Sequence, residues 1–402
     1  MELTLLGTGA PNGLPRPGCP CAACALSVGV RTRAASSLLV DGALLLDLTP
    51  GAALAAARSG HSLAGVRQVL LTHPHQGPAM ELPPGLPAAG RVPDGRGLAV
   101  ISGHRVRAVP MDAPGTGYEV TGPGGERLLY LPPGGAPAGL VDQEHHQLTY
   151  DMVVCDVVGR PDAVARLRAA GAIGPTTDLI AVHLDHDVPP GAELDRRLAA
   201  AGARAVPDGT TLGVGEYHAV PDLPRRTLVL GGARSGKSHE AERRLGAFPA
   251  VLYVATGGNR DGDREWSARV ALHRERRPGS WRTVETCELA PLLEEEGPAL
   301  LIDCLALWLT DAMDRVGAWD EGNWSEGGEK ELRERTSELV AAIRATRRRV
   351  VLVSNEVGSG IVPATASGRR FRDELGRLNA AVAGECEQVL LVVAGQALPL
   401  RG

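Results

Sequence analysis

Gly231, Gly232, Ala233, Arg234, Ser235, Gly236, Lys237 and Ser238 carry the most specific chemical signal in the sequence. They spell G-x-x-x-x-G-K-[ST], the pattern of a loop that holds a nucleotide's phosphates. Glycines let backbone N–H groups close around phosphate oxygens, the lysine puts a charge on the β/γ-phosphates, and the hydroxyl ligates Mg²⁺. Of 42 basic residues all but Lys237 and Lys330 are arginine, so a lysine here marks a site that needs a compact point charge. Asp303 closes the apolar run 299–303. At that interval after a phosphate loop, it is the carboxylate predicted to hold Mg²⁺ together with Ser238. His273 lies among Arg269, Arg274, Arg276 and Arg277. Alone it reads as a solvated surface histidine, yet a basic surround attracts nucleotide phosphates and a neutral imidazole is a competent nucleophile toward phosphorus. Cys19, Cys21 and Cys24 form a fourth group, spaced closely enough for several thiolates to reach one tetrahedral Zn²⁺. His218, His186, His145 and His146 are all candidates for its fourth ligand.

These residues need particular elements behind them. The loop requires a buried strand before it and a helix after it, and the sequence offers both, at 227–230 and 237–245. Beyond the loop, strands are predicted at 250–255, 299–303, 349–354 and 388–393, and helices at 263–274, 305–316, 330–347 and 369–383. Continuous rather than alternating apolar strands predict a parallel sheet covered on both faces. In the first half, strands are predicted at 1–6, 66–72, 127–131, 152–158 and 179–183, a hairpin over 36–47 turning at Asp41-Gly42, and helices at 161–170 and 191–201. Hairpins giving way to strand–helix alternation predict an α/β sandwich. The prolines and arginines of 219–225 read as a linker, which sets domains at 1–218 and 226–402.

Composition limits the function classes. With 402 residues, 44% hydrophobic and 22% charged, the chain is of ordinary globular composition and long enough for two domains. A net charge of −5 gives no support to nucleic-acid or membrane-surface binding. With neither a long apolar span nor a signal-like start, the expected location is cytoplasmic. Seven cysteines, an odd number in so long a chain, do not suggest a disulfide framework. His61 and His104 show no partner pattern and are expected to serve packing.

Several blocks of 226–402 extend the phosphate-loop signal: GGARSGKS, YVATG, the H-x-x-x-R-P-x-x-W-x-T-x-E block from His273 to Glu285, LIDCLALWLTD, VSNEVGSGIVP and GRRFRDELGRLN. Together they resemble the bifunctional adenosylcobinamide kinase / adenosylcobinamide-phosphate guanylyltransferases of cobalamin biosynthesis. The resemblance implies that His273 takes GMP from GTP as a covalent phosphoramidate. It also implies that Ala255, Thr256, Gly257, Arg276, Arg277, Pro278, Gly279, Glu285 and Asp303 line the nucleotide site with the phosphate loop. Substrates would be ATP or GTP, adenosylcobinamide and its phosphate, with Mg²⁺ as cofactor and a homo-oligomer as the assembly. Asp303, where some members carry Glu, and Ala364-Thr365, where Glu-Asn is common, are the departures.

The first half resembles metallo-β-lactamase-fold hydrolases of the phosphodiesterase-like branch, through LLGTGAPNGLPRPGCPCAAC, SSLLVDGALLLD, LLTHPH, DMVVCDVVG and AVHLDHD. That implies an αββα sandwich, a structural zinc on the cysteine cluster, and a metal site at His73, His75, Asp156 and His183. The family's T-H-x-H-x-D-H motif is broken, because Gly77 and Pro78 stand where its Asp and last His belong. The expectation is therefore a degenerate or repurposed domain. Two alternatives stand beside the bifunctional enzyme: a nucleotide-binding regulatory or scaffold protein with both halves inactive, and an additional phosphodiesterase activity in the first half.

Overall fold

The computed structural model describes residues 1–73, 83–138, 149–216, 218, 223–257 and 277–402. The helix predicted over 263–274, with His273, and also Arg276, His75, Gly77, Pro78, His145 and His146, lie outside the described residues. The chain divides into two units, Met1–Leu223 and Pro224–Gly402.

Among the described residues of the first unit twelve short strands follow one another: β1 Glu2–Gly7, β2 Ser37–Val40, β3 Leu44–Leu46, β4 Gln68–Leu70, β5 Ala89–Gly90, β6 Gly97–Ala99, β7 Arg105–Pro110, β8 Thr116–Thr121, β9 Arg127–Tyr130, β10 Met152–Cys155, β11 Asp178–Ala181 and β12 Thr210–Gly213. They form two six-stranded sheets, ordered β12-β1-β2-β3-β4-β5 and β11-β10-β9-β8-β7-β6. Leu3, Leu38, Leu44 and Leu46 of one sheet share a buried cluster with Tyr118, Leu128, Met152 and Ile180 of the other. The sheets therefore pack face to face, as the alternation of inward residues demands. On the far side of the first sheet, Leu6, Leu39 and Leu45 are buried against Ala52 and Ala56 of a short helix, Ala52–Arg58. A second helix, Pro161–Ala169, crosses over between the parallel strands β10 and β11 and buries Val164 and Leu167. The αββα layering expected of this half is present. Asp41 and Gly42 both take positive φ, 44° and 63°, and the Ala43 N–H donates to the Val40 carbonyl at 2.9 Å, which closes the tight turn between β2 and β3.

The second unit is one seven-stranded sheet: β13 Arg226–Gly231, β14 Val251–Ala255, β15 Arg282–Glu285, β16 Ala299–Asp303, β17 Val350–Asn355, β18 Gln388–Val393 and β19 Gln396–Arg401, ordered β15-β14-β16-β17-β13-β18-β19. Every neighbouring pair is parallel except β18 and β19, so the predicted parallel sheet ends in one antiparallel edge strand. Pro399 within β19 suits an edge, where a missing N–H costs no ladder bond. Leu228, Val229, Leu300, Leu301, Val351 and Leu352 are buried on both sheet faces with Leu245, Leu309, Ile343 and Leu378 from four helices. Those helices are Lys237–Leu245, Leu305–Arg315, Glu329–Ala345 and Ala366–Glu385. In such a sheet the ligand crevice lies outside the carboxyl ends of the strands.

Candidate functional site

Strand β13 is central, with β17 on one side and β18 on the other, and Gly231 ends it opposite Asn355 and Val392. A side chain at Gly231 has no room: a Cβ there would meet Ser235 Oγ at 2.5 Å and the Val392 carbonyl oxygen at 2.7 Å. Arg234 and Gly236 adopt φ of 58° and 97°, which turns the chain back before the helix Lys237–Leu245 begins. The Gly395 N–H donates to the Ser235 carbonyl at 2.9 Å, fastening the loop to the β18–β19 turn. Lys237, 6% exposed, curls over the loop so that Nζ donates to the Gly232 carbonyl at 3.2 Å. Ser238 follows in the first helical turn, where backbone N–H groups lack intrahelical acceptors and the helix dipole is positive.

Register alone brings three more candidates to the same edge. Ala255 on β14 lies opposite Asp303 on β16 and opposite Glu285 on β15. Thr256, which follows Ala255, donates its N–H to the Asp303 carbonyl at 3.2 Å. Its hydroxyl donates to the Cys304 carbonyl at 2.7 Å and accepts the Cys304 N–H at 2.8 Å. The Thr256 hydroxyl is thus spent on the backbone and holds the ends of β14 and β16 together. Burial pushes the Cys304 thiol up to about 11, with the Asp303 charge adding to that and Lys237 opposing it. Tyr253, buried on β14, donates its hydroxyl to Asp303 Oδ2 at 2.7 Å. The Arg277 guanidinium carbon lies 3.2 Å from the centre of the Tyr253 ring, and its Nε lies 3.9 Å from Glu242 Oε1. Pro278 and Gly279 continue from there toward β15. Sequence reasoning singled out Arg277, Asp303 and Thr256 but missed Tyr253 and Glu242. Tyr253 stands two residues before Ala255 in the YVATG block, where an inward tyrosine in an otherwise aliphatic strand was the available signal.

The cysteine cluster belongs to the first unit. Cys21 caps a short helix, Ala22–Leu26, and accepts the Cys24 N–H on its sulfur at 3.4 Å, while Cys24 Sγ accepts the Arg16 N–H at 3.3 Å. His186 Nδ1 stands 3.2, 3.6 and 3.7 Å from the sulfurs of Cys19, Cys21 and Cys24. The four ligand atoms all lie within 4.8 Å of one another. The Cys24 N–H is the main influence that brings the Cys21 thiol down to about 7, favouring the thiolate a metal needs. An Arg16–Asp185 ion pair at 2.6 Å ties the cysteine loop to the segment carrying His186. Three sulfurs and one imidazole nitrogen are a donor set able to hold a metal ion. Of the two candidate histidines among the described residues, His186 is the one at the cluster. His218 sits instead with Nε2 at 3.4 Å from Asp178 Oδ2.

The other metal candidates of this unit do not gather in the same way among the described residues, where the Cys3His group is the only such cluster. His183 follows β11 with φ of 58°, and its Nε2 donates to the Leu131 carbonyl at 3.1 Å. Burial brings it down to about 4, so its ring is neutral, with the lone pair on Nδ1. Asp156 accepts the Gly159 N–H at 2.7 Å, and burial raises its pKa. Both line a cavity of about 160 Å³ with Asp185 and Asp187. His73 Nδ1 lies 2.7 Å from the Thr72 hydroxyl. That hydroxyl donates to the buried Asp47, which also takes the Thr72 N–H and the Tyr130 hydroxyl. His104 and His61 pack as expected, His104 between Ser102 and Asp41 at 2.8 Å each, His61 against Thr4 and Thr211.

Residues 227–400 match the family described as cobinamide kinase / cobinamide phosphate guanyltransferase. The bifunctional adenosylcobalamin biosynthesis protein CobP of Pseudomonas aeruginosa is 44% identical over 182 residues, which is 98% of that protein and 44% of this chain. CobU of Salmonella typhimurium, named in the same words, is 39% identical over 179 residues, 95% of that protein and 42% of this chain. CobU of Escherichia coli is 40% identical over 174 residues, 95% of that protein and 42% of this chain. Among solved structures, Zn²⁺-bound PqqB from Methylobacterium extorquens is similar at a TM-score of 0.38 and 19% identity, covering 53% of this chain and all of that one. A diphosphatase of the PhnP family is similar at 0.40 and 20% identity, covering 52% of this chain and 96% of that one.

Proposed function

This chain belongs, through residues 227–400, to the cobinamide kinase / cobinamide phosphate guanyltransferase family, and from that premise we propose that it makes adenosylcobinamide-GDP in two reactions at the carboxyl edge of the seven-stranded sheet. The observation that supports the reading is that the phosphate loop with Lys237 follows the carboxyl end of β13 while Asp303 ends β16, the two strands flanking β17 in one parallel sheet. In the first reaction the loop N–H groups and Lys237 take up the charge of the β- and γ-phosphates of ATP or GTP. The aminopropanol hydroxyl of adenosylcobinamide forms the new O–P bond, the bond from the γ-phosphorus to the β-bridging oxygen breaks, and the hydroxyl proton leaves to solvent. Ser238 and Asp303 are oxygen donors of the hard type that Mg²⁺ takes. They would hold Mg²⁺ there to supply positive charge to the phosphate oxygens.

In the second reaction a ring nitrogen of His273 bonds to the α-phosphorus of GTP and pyrophosphate leaves. An oxygen of the cobinamide phosphate then displaces the imidazole, giving adenosylcobinamide-GDP. Gly231 to Ser238, Ala255, Thr256, Gly257, Arg276, Arg277, Pro278, Gly279 and Glu285 form the nucleotide site in this reading. Thr256 contributes through the backbone its hydroxyl holds in place rather than through a contact of that hydroxyl with the nucleotide. A homo-oligomer in the cytoplasm belongs to the same proposal; among the described residues no helix is long and apolar enough to cross a membrane.

For the first unit we propose a structural Zn²⁺ held by Cys19, Cys21, Cys24 and His186, and no hydrolase activity, since the carboxylate and histidine of the family motif are replaced by Gly77 and Pro78. The test of the main reading is product formation from adenosylcobinamide with ATP and GTP, followed by mass spectrometry. Lys237→Met should lower the rate of phosphorylation by about 10²- to 10³-fold, the loss typical of one preorganised charge-stabilising donor. A wild-type protein that binds nucleotide yet yields neither the phosphate nor the GDP product would instead indicate a scaffold.

A further inference from the structure

Tyr253 is a buried side chain that the two reactions do not use directly. Only 3% exposed, it projects from β14 between the elements of the nucleotide site. Its hydroxyl ends on Asp303 Oδ2 at 2.7 Å, and among the described residues Asp303 Oδ1 carries no hydrogen bond. Its ring is covered by the Arg277 guanidinium at 3.2 Å. One oxygen of the carboxylate is therefore anchored from inside the sheet while the other is left for a ligand. Arg277, whose own Nε is 3.9 Å from Glu242, clamps the tyrosine from the opposite side. A carboxylate at a strand end has two side-chain torsions to lose before it can ligate a cation. A neutral donor that fixes one oxygen removes that freedom without competing for charge.

We propose that Tyr253 is a positioning residue that orients Asp303 toward the divalent cation of the bound nucleotide, with Arg277 holding the tyrosine ring in place. The inference rests on the reading of Asp303 given above. Hydrogen-bonding partners behind a metal ligand typically account for 10- to 100-fold in metal affinity or activity.

The test is Mn²⁺ binding to the full chain, read by electron paramagnetic resonance in the presence of α,β-methylene GTP, which cannot be guanylyl-transferred. Tyr253→Phe keeps the ring and its stacking and removes only the hydroxyl. It should weaken Mn²⁺ binding by about tenfold and leave metal-free nucleotide affinity unchanged. In turnover the Mg²⁺ concentration for half-maximal rate should rise, with the KM for adenosylcobinamide constant. Asp303→Asn is measured beside it. If Asp303→Asn weakens Mn²⁺ binding while Tyr253→Phe matches wild type, the positioning role is overturned and the reading of Asp303 stands. If Asp303→Asn also binds Mn²⁺ as wild type does, the reading of Asp303 itself fails. A second measurement needs no substitution to fold. Tyr253 is the only tyrosine after residue 217. In wild-type protein grown on 3-fluorotyrosine, one fluorine resonance should shift when Mg²⁺ is added to the nucleotide complex; no tyrosine resonance moving would overturn the proposal.

Discussion

Single residues carry both sites, and in each the decisive partner comes from far along the chain. His186 lies 167 positions from Cys19, and the Arg16–Asp185 pair brings their segments together. The three cysteines were legible because their spacing is local. The fourth ligand was not, since every candidate histidine lies more than a hundred positions from Cys19 and spacing does not choose among them. Cys24→Ser should reduce bound zinc from about one per chain to near zero, measured by emission spectrometry on dialysed protein. Melting of the first unit should fall by roughly 2–4 °C for each kcal/mol of binding linkage lost. Cys287→Ser, in the second unit, should keep its zinc. Retention of metal by the Cys24 variant would contradict the Cys3His assignment. Tyr253 shows the reverse case, in which a residue important to the site hides inside a run that reads only as a strand.

Elements buried on both faces were the easiest to read. The strands of 227–230 and 299–303 are unbroken apolar runs, and the structure has them as Arg226–Gly231 and Ala299–Asp303. Three kinds of element escaped. Ala52–Arg58 is almost all alanine, so it has no apolar face to contrast with a polar one. Arg282–Glu285 is a four-residue, mostly exposed edge. The hairpin of Arg105–Pro110 and Thr116–Thr121 alternates correctly but sits in Gly/Pro-rich surroundings that read as loop. The helix Pro161–Ala169 also anchors a distant turn. Asp112 accepts the Ala136 N–H at 2.9 Å and the Arg160 and Arg166 guanidinia at 3.0 and 2.8 Å. Burial works to raise the pKa of Asp112, but these donors outweigh it and hold the group at about 2, below its ordinary 3.8. Because the folded value is the lower one, the contribution to stability is complete above about 3.8 and is lost as the pH falls from there toward 2. Asp112→Asn should lower stability at neutral pH and flatten the decline across that acid window, as read by urea unfolding at stepped pH. An unchanged acid slope would contradict the anchoring.

At the scale of the whole molecule, the chain joins a counterpart of nearly the full length of the bifunctional relatives to a longer sandwich unit, Met1–Leu223. Three relatives are covered over 95 to 98% of their length by less than half of this chain. The second unit therefore spans nearly the whole length of these relatives, and its family was legible because the motifs are written in contiguous blocks around one loop. The first unit was legible as a fold and as a cysteine cluster able to hold a metal ion, while its sequence breaks the family's histidine motif at Gly77 and Pro78. The central claim is that one nucleotide cradle serves both phosphoryl and guanylyl transfer, with His273 as the covalent carrier. The most direct measurement is incubation of the full chain with GTP labelled at the α- or the γ-phosphate, followed by denaturing electrophoresis. The account predicts that only the α-label stays on the protein, in an acid-labile, alkali-stable bond, and that His273→Ala abolishes it. Retention of the α-label by His273→Ala, or no protein label at all with wild type, would contradict it.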